Sequence, residues 1–148
     1  MGDAQAQLDG FLAKFSPEVE AQAHDLVARM RARLPGATIM VYDNYNALAI
    51  GFGASGKVSR AVLSLAVFPR WVTLCFLFGA GLPDPHGLLS GKGSQVRHIR
   101  LADPALLDDP RVQALIDEAV ARSEPPFDPA AKQELVIKSV SAKQRPRR

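Results

Sequence analysis

Turn-forming residues separate the apolar segments in the middle of this chain, and their close spacing restricts the fold more than any other feature. They stand at Asp43-Asn44, at Ala54-Ser55-Gly56 and at Pro69-Arg70. Strands are predicted at about 37–42, 47–53, 58–68, 71–78 and 96–101. Connections this short join antiparallel neighbours, because a parallel pair needs a crossover of about a dozen residues. The sequence therefore predicts an antiparallel, mostly meander sheet of about five to six strands.

Helical periodicity places two helices before this sheet and one after it. The first is expected to bury a face made of Leu8, Phe11, Leu12 and Phe15. Ser16 and Pro17 then begin the second helix, as N-cap and first helical residue. Asp109 and Pro110 begin the last helix in the same way. The fold class is therefore α+β, with the three helices packed on the sheet.

The length and charge of the chain indicate one domain with a basic extension. The chain has 148 residues, and single domains commonly have ~100–150. Residues 132–148 hold six basic residues and one acid, a net charge of +5, which leaves −2 for residues 1–131 within a total of +3. We predict an α+β domain over 1–131, then an edge strand near 134–141 and a disordered end from Lys143. Nucleic acid is an improbable partner, because its basic surface would usually lie on the folded body.

The only cysteine and the apolar segments indicate a reducing, cytoplasmic location. Cys75 lies in the apolar run 71–78, which is expected to form a central strand covered on both faces and to bury an inert thiol. The apolar segments are shorter than the ~20 residues of a membrane helix. The first residues lack the basic and apolar regions of a signal peptide. No membrane association and no cofactor are predicted.

A glycine-rich segment around Lys92 is the candidate binding loop. It departs from a nucleotide-binding P-loop, because Gly93 follows the lysine where Ser or Thr is required and a strand pattern comes next. Two interpretations stay open. The amides of Gly91, Lys92 and Gly93 could converge on an anion, or the glycines could form a turn with positive φ and leave Lys92 solvated.

The leading functional hypothesis is a cleft between the first hairpin and this loop that binds a small anionic ligand without catalysis. Its predicted lining is Tyr42, Asn44, Tyr45, Gly91, Lys92, Gly93, His98 and Arg100. Alternation directs His98 and Arg100 outward and buries Ile99 and Leu101. Ordinary turn chemistry and surface charge are the alternative interpretation of the same residues. A separate hypothesis assigns binding of an acidic partner to the basic C-terminal tail.

The order of these features resembles the YdhG-like domain of unknown function found in many small bacterial proteins. The resemblance covers about residues 8–122. It rests on Phe11-Leu12, Leu34-Pro35, Tyr42, and Gly91-Lys92-Gly93 leading to Arg97 and Leu101. It implies a frataxin-like arrangement with helices on one face of the sheet. It also implies, as an alternative function, the iron handling suggested for some relatives.

The chain departs from that family pattern at two places. Asp43-Asn44-Tyr45 stands where members often have Gly-Met-Pro after the strand tyrosine. The acidic residues near the N-terminus are too widely spaced for the dense acidic ridge of a frataxin-type iron site. They are Asp3, Asp9, Glu18, Glu20 and Asp25.

Overall fold

A computed structural model describes residues 2–148 as three helices and one six-stranded sheet. The helices are α1 (Gly2–Leu12), α2 (Pro17–Arg33) and α3 (Pro110–Ala121). The strands are β1 (Thr38–Asp43), β2 (Leu48–Gly53), β3 (Ala61–Val67), β4 (Val72–Phe76), β5 (Arg97–Leu101) and β6 (Glu134–Val140). Their order across the sheet is β5-β4-β3-β2-β1-β6.

The α+β class is confirmed, whereas the expectation of an antiparallel sheet is wrong at one edge. From β1 to β5, each strand pairs antiparallel with the next strand in the sequence, and this includes β4 and β5, which a long loop connects. Strand β6 instead runs parallel to β1, with Glu134 beside Thr38. The rule of short connections applies only to strands that follow each other closely. Helix α3 and the segment after it return the chain to the end of the sheet where β1 begins, so β6 takes the same direction.

One face of the sheet and the three helices share a single hydrophobic core. The strand residues in it alternate along the chain and include Ile39, Val41, Ile50, Phe52, Leu63, Leu65, Leu74, Phe76, Ile99 and Leu101. Each fully buried side chain of this kind contributes about 1.5–3 kcal/mol relative to an exposed one. The other face carries small and polar residues such as Gly51, Ser64 and Thr73.

The predicted helix starts are confirmed by their caps. The hydroxyl of Ser16 accepts a hydrogen bond from the N–H of Val19 at 3.3 Å. The carboxylate of Asp109 accepts from the N–H of Arg111 at 2.9 Å. Both bonds satisfy amides that the first turn of a helix leaves without a partner.

Strand β4 is not the central strand that its apolar sequence predicts. It lies between β3 and β5, one place from the edge of the sheet. Because Leu74 and Phe76 face the helices, Cys75 must face the opposite side, where it is only partly buried. Its apolar neighbours along the chain therefore misled the prediction of a fully covered strand.

The strand predicted at 58–68 is shorter at its start. Its first three residues form a 3-10 turn, Val58–Arg60, and β3 begins at Ala61. This turn places Ser59 and Arg60 beside the cavity described below.

The C-terminal segment, expected to be disordered, has defined contacts with the first hairpin. Ser141 and Arg145 donate their backbone N–H groups to the carbonyls of Asp43 and Tyr45 at 2.8 and 2.9 Å. The guanidinium of Arg148 donates to the carbonyls of Lys14 and Ala13. The segment is ordered because the β1–β2 turn presents carbonyls that its basic residues can bond. The predicted edge strand is present as β6.

Candidate functional site

The residues predicted to line one cleft lie on widely separated strands of the sheet. Tyr42 is in register with Ala49, and the same row continues across β3 and β4 to Arg100 on β5. Four strand spacings of about 4.8 Å put the Cα atoms of Tyr42 and Arg100 on the order of 19 Å apart. A single small ligand does not bridge that distance.

The first hairpin is occupied by the protein's own tail. The guanidinium of Arg147 donates to the Asp43 carboxylate at 2.9 Å and to the Asn44 carbonyl at 2.6 Å. The side chains of Arg147 and Asp43 are 3% and 1% exposed. Arg147 also lies 5.6 Å from the ring centroid of Phe15. The turn that the sequence predicts as one side of a ligand cleft therefore binds a cation from the same chain.

Tyr42 and Tyr45, the two aromatic residues of the hairpin, have different surroundings. Burial raises the pKa of Tyr42, and its hydroxyl lies 3.9 Å from the sulfur of Met40. The side chain of Tyr45 is half exposed, and its carbonyl accepts from the backbone of Arg145. They do not form a common aromatic wall with the glycine loop.

The glycine loop has the geometry of the turn interpretation. Gly91 has a φ of 125°, a conformation that side chains rarely adopt. Next to it, Ser90 and His98 exchange two backbone hydrogen bonds of 2.9 Å. The carbonyl of Gly93 accepts from the Arg97 guanidinium at 2.6 Å. This loop therefore binds a cation through a carbonyl, and Lys92 is exposed to solvent.

On the outward face of β5, Arg100 is exposed as predicted, whereas His98 is half-buried. Ile99 and Leu101 are buried, and Arg100 is exposed on the opposite side. The guanidinium of Arg100 lies 4.4 Å from the ring centroid of Trp71. This cation–π contact gives Arg100 a structural partner on the sheet surface.

A cavity that the sequence did not predict lies beside α3 and the end of β4. Its volume is about 230 Å³. The apolar part of its lining comes from Val62, Phe76, Phe78, Leu82 and Ala119. Phe78 is 50% exposed and forms part of the opening. We call this space the Phe78 cavity.

Two arginines line the Phe78 cavity together with Ser59, Ser123 and Glu124. Arg60 donates to the Glu124 carbonyl at 3.3 Å. Arg122 donates to the Gly81 carbonyl at 2.7 Å and to the Glu118 carboxylate at 2.9 Å. A guanidinium has five N–H donors, so each keeps donors for a ligand.

The Phe78 cavity offers guanidinium donors to an anion. Its lining holds two guanidinium groups and the carboxylate of Glu124, and the carboxylate of Glu118 bonds one of the two, Arg122. A shallower hollow beside it shares Arg60 and Glu124 and adds Lys57. An apolar interior with a few convergent polar groups is the usual composition of a small-molecule site. The arrangement can hold a carboxylate or a similar anion with an apolar body.

The Phe78 cavity could not be recognised from sequence spacing. Arg60 comes from the turn before β3, and Arg122 follows the end of α3. Only the fold brings them together. Phe78 ends the apolar run 71–78, and the sequence does not distinguish it from the strand residues before it.

A second hollow contains charged groups that are already paired. It has a volume of about 390 Å³ and includes Asp84, His86 and Arg111. The carboxylate of Asp84 accepts from the amides of Leu88 and Leu89, both at 2.9 Å. The Arg111 guanidinium bonded to Asp109 lowers the pKa of that carboxyl to about 2. These bonds stabilise the loop and the start of α3.

Metal ligands are not clustered in the part of the chain that the structure describes. Within residues 2–148, no group of three or more His, Cys, Asp or Glu side chains is arranged to hold a metal ion. His24 lies on the exposed side of α2, 4.0 Å from the Glu20 carboxylate.

Cys75 is expected to react slowly with alkylating agents. Burial raises the pKa of its thiol, and the thiolate is the reactive form. At pH 8 we expect iodoacetamide to modify the folded protein at least about tenfold more slowly than free cysteine. Mass spectrometry over time measures this, with the urea-unfolded chain as control. Equal rates in the folded and unfolded states would contradict it.

Comparison with protein-family models, with curated proteins and with solved structures finds no match to this chain. The resemblance to the YdhG-like domain and the frataxin-like arrangement therefore stay predictions. In the described residues, no helix is both long and apolar enough to cross a membrane.

Proposed function

We propose that this protein is a non-enzymatic binding domain for a small anionic molecule with an apolar body, and that the ligand binds in the Phe78 cavity. The supporting observation is an apolar cavity that has both Arg60 and Arg122 in its lining. The ligand class is the one that the sequence suggested. The proposed site differs from the cleft predicted from the sequence, because the first hairpin binds Arg147 and the glycine loop lies at the far edge of the sheet.

The shape of the cavity limits the ligand. Its volume of about 230 Å³ is below the ~300–1,000 Å³ of typical drug-sized sites. A short alkyl chain or one aromatic ring could pack against Val62 and Phe76, with about 0.8 kcal/mol gained for each buried CH₂ group. The anionic end could then accept charge-assisted hydrogen bonds from Arg60 and Arg122.

The two alternative functions have weaker support. Iron handling requires clustered carboxylates or imidazoles, and the described residues contain no such cluster. Capture of an acidic partner by the tail requires free basic side chains. Arg147 is bonded to Asp43, and Arg148 is bonded to two carbonyls of the turn after α1, whereas Lys143 and Arg145 stay exposed.

Isothermal titration calorimetry with phenylacetate tests the proposal. We expect Arg60→Gln and Arg122→Gln each to raise the Kd about tenfold, because each removes a charge-assisted hydrogen bond to the ligand. Neutral phenylacetamide, which keeps the ring but lacks the charge, should bind more weakly than phenylacetate.

Two control variants make this test specific. Arg70 is exposed in the β3–β4 turn, and Arg70→Gln should leave the Kd unchanged while removing the same charge. Lys92→Gln should also have no effect. Unchanged binding by Arg60→Gln and Arg122→Gln would reject the Phe78 cavity, and a loss of binding in Lys92→Gln would return the site to the glycine loop.

A further inference from the structure

The two edges of the sheet are protected to different degrees. At the β5 edge, Ser90 exchanges two backbone hydrogen bonds with His98, and Arg97 and Arg100 add charge. At the other edge, β6 pairs only with β1 among residues 2–148. Leu135, Val136 and Ile137 form the middle of β6. An uncovered strand with an apolar middle is a template for pairing with another strand.

The hydrogen bonds of β6 to β1 define which of its backbone groups face outward. The N–H of Glu134 points to β1, because it donates to the Ala37 carbonyl. In a strand the hydrogen-bonding groups of successive residues point to alternate sides. Those of Val136 therefore also face β1, and the N–H and C=O groups of Leu135 and Ile137 face the open edge.

We propose that β6 pairs antiparallel with β6 of a second copy of this chain, with the two Val136 residues opposite each other on the two-fold axis. In this register Leu135 of one copy lies opposite Ile137 of the other. Their outward N–H and C=O groups match, which gives two closely spaced pairs of backbone hydrogen bonds. The two sheets join into one continuous sheet of twelve strands.

Charge complementarity supports this register and the choice of a second copy as the partner. Two residues from the centre, Glu134 of one copy lies opposite Lys138 of the other, and symmetry repeats the pair. Lys138 is exposed and now bonds only a carbonyl, that of Gly56, at 2.8 Å. Leu135 and Ile137 meet on the face toward the helices, where both already pack against the core. Two copies of residues 134–138, paired antiparallel, are thus complementary in hydrogen bonding, apolar contacts and charge.

Site-specific cross-linking tests the register. Residues opposite each other in a non-hydrogen-bonded antiparallel pair have Cα atoms about 4.5 Å apart, which suits a disulfide. In a Cys75→Ser background, Val136→Cys should form a covalent dimer under mild oxidation. Ser139→Cys is the matched control on the same strand, because its two copies would lie about 20 Å apart in this register.

Exchanging the charges of Glu134 and Lys138 tests whether a second copy of the chain is the partner. Sedimentation velocity over a concentration series measures the dimer Kd of each variant. The native chain should show a monomer–dimer equilibrium in the micromolar range, as expected for a small interface. Glu134→Lys should raise the dimer Kd about tenfold, because it faces Lys138 with a like charge. Lys138→Glu should do the same. The double variant should restore dimerisation, and a mixture of the two single variants should form heterodimers.

Two results would overturn the proposal. One is a protein that stays monomeric at every concentration and gives no Val136→Cys cross-link. The other is a dimer that the charge variants leave unchanged or that Ser139→Cys links equally well, since another surface would then form it. None of these measurements depends on a ligand in the Phe78 cavity, so the dimer and the proposed function can fail separately.

Discussion

Replacing Arg147 by alanine is expected to lower the free energy of unfolding by about 3–5 kcal/mol, although this residue is the second from the C-terminus. The reason is the burial of its ion pair with Asp43, whose side chain is 1% exposed. Removal of the arginine leaves the buried carboxylate with Lys14, at 3.4 Å, as its remaining ion-pair partner among residues 2–148. Urea unfolding followed by circular dichroism measures the change.

Two further variants separate the ion pair from the rest of the tail. Arg148→Ala removes only exposed hydrogen bonds to backbone carbonyls and should cost less than about 1 kcal/mol. Asp43→Asn combined with Arg147→Met removes both charges and should recover more than half of the loss, since no unpaired ion remains buried. Equal effects of Arg147→Ala and Arg148→Ala would mean that the pair is not buried in solution.

Replacing Gly36 by alanine is expected to destabilise the protein by about 2–4 kcal/mol. A Cβ at this position would overlap the carbonyl oxygen of Asp128 and come within 3.2 Å of the Cα of Pro129. Both obstacles belong to the backbone, so no change of rotamer relieves them. The substitution must displace the segment that leads into β6 or the end of α2.

Gly56→Ala is the matched control for this substitution. Gly56 lies in the turn before β3, and an added Cβ would meet nothing within 4 Å. We expect its unfolding free energy to stay within about 0.5 kcal/mol of the native value. Similar effects of the two alanine substitutions would show that residues 36 and 128 are not in contact.

Local sequence signals were enough to predict the helices and most of the strands. Ser16-Pro17 and Asp109-Pro110 cap their helices through bonds to amides two or three residues away, and such signals act within a few residues. Alternation likewise predicted that Ile99 is buried and Arg100 exposed. These predictions needed no knowledge of distant residues.

The incorrect predictions concern contacts between distant parts of the chain. The parallel direction of β6 depends on the route that the chain takes after α3. The C-terminal segment is ordered because Arg147 bonds Asp43, which lies 104 positions earlier in the sequence. The basic end resembles an unstructured tail in composition, and acceptors at the β1–β2 turn and in the turn after α1 make it ordered.

The candidate site was missed for the same reason. The sequence drew attention to Tyr42, Lys92 and His98 because aromatic, glycine-rich and basic residues are conspicuous locally. Lys92 and His98 lie near the β5 edge, whereas Tyr42 lies on β1. The Phe78 cavity is instead formed by ordinary residues, Arg60 and Arg122 among them, that become close only in the folded chain.

The most direct test of the proposed function is a two-dimensional ¹H–¹⁵N NMR titration of the native protein with phenylacetate. We expect saturable shifts of the amides around the Phe78 cavity, at Val62, Phe78 and Ser123, with Lys92 and His98 unchanged. Shifts confined to the Lys92 loop, or no saturable shift at the cavity up to millimolar ligand, would contradict it.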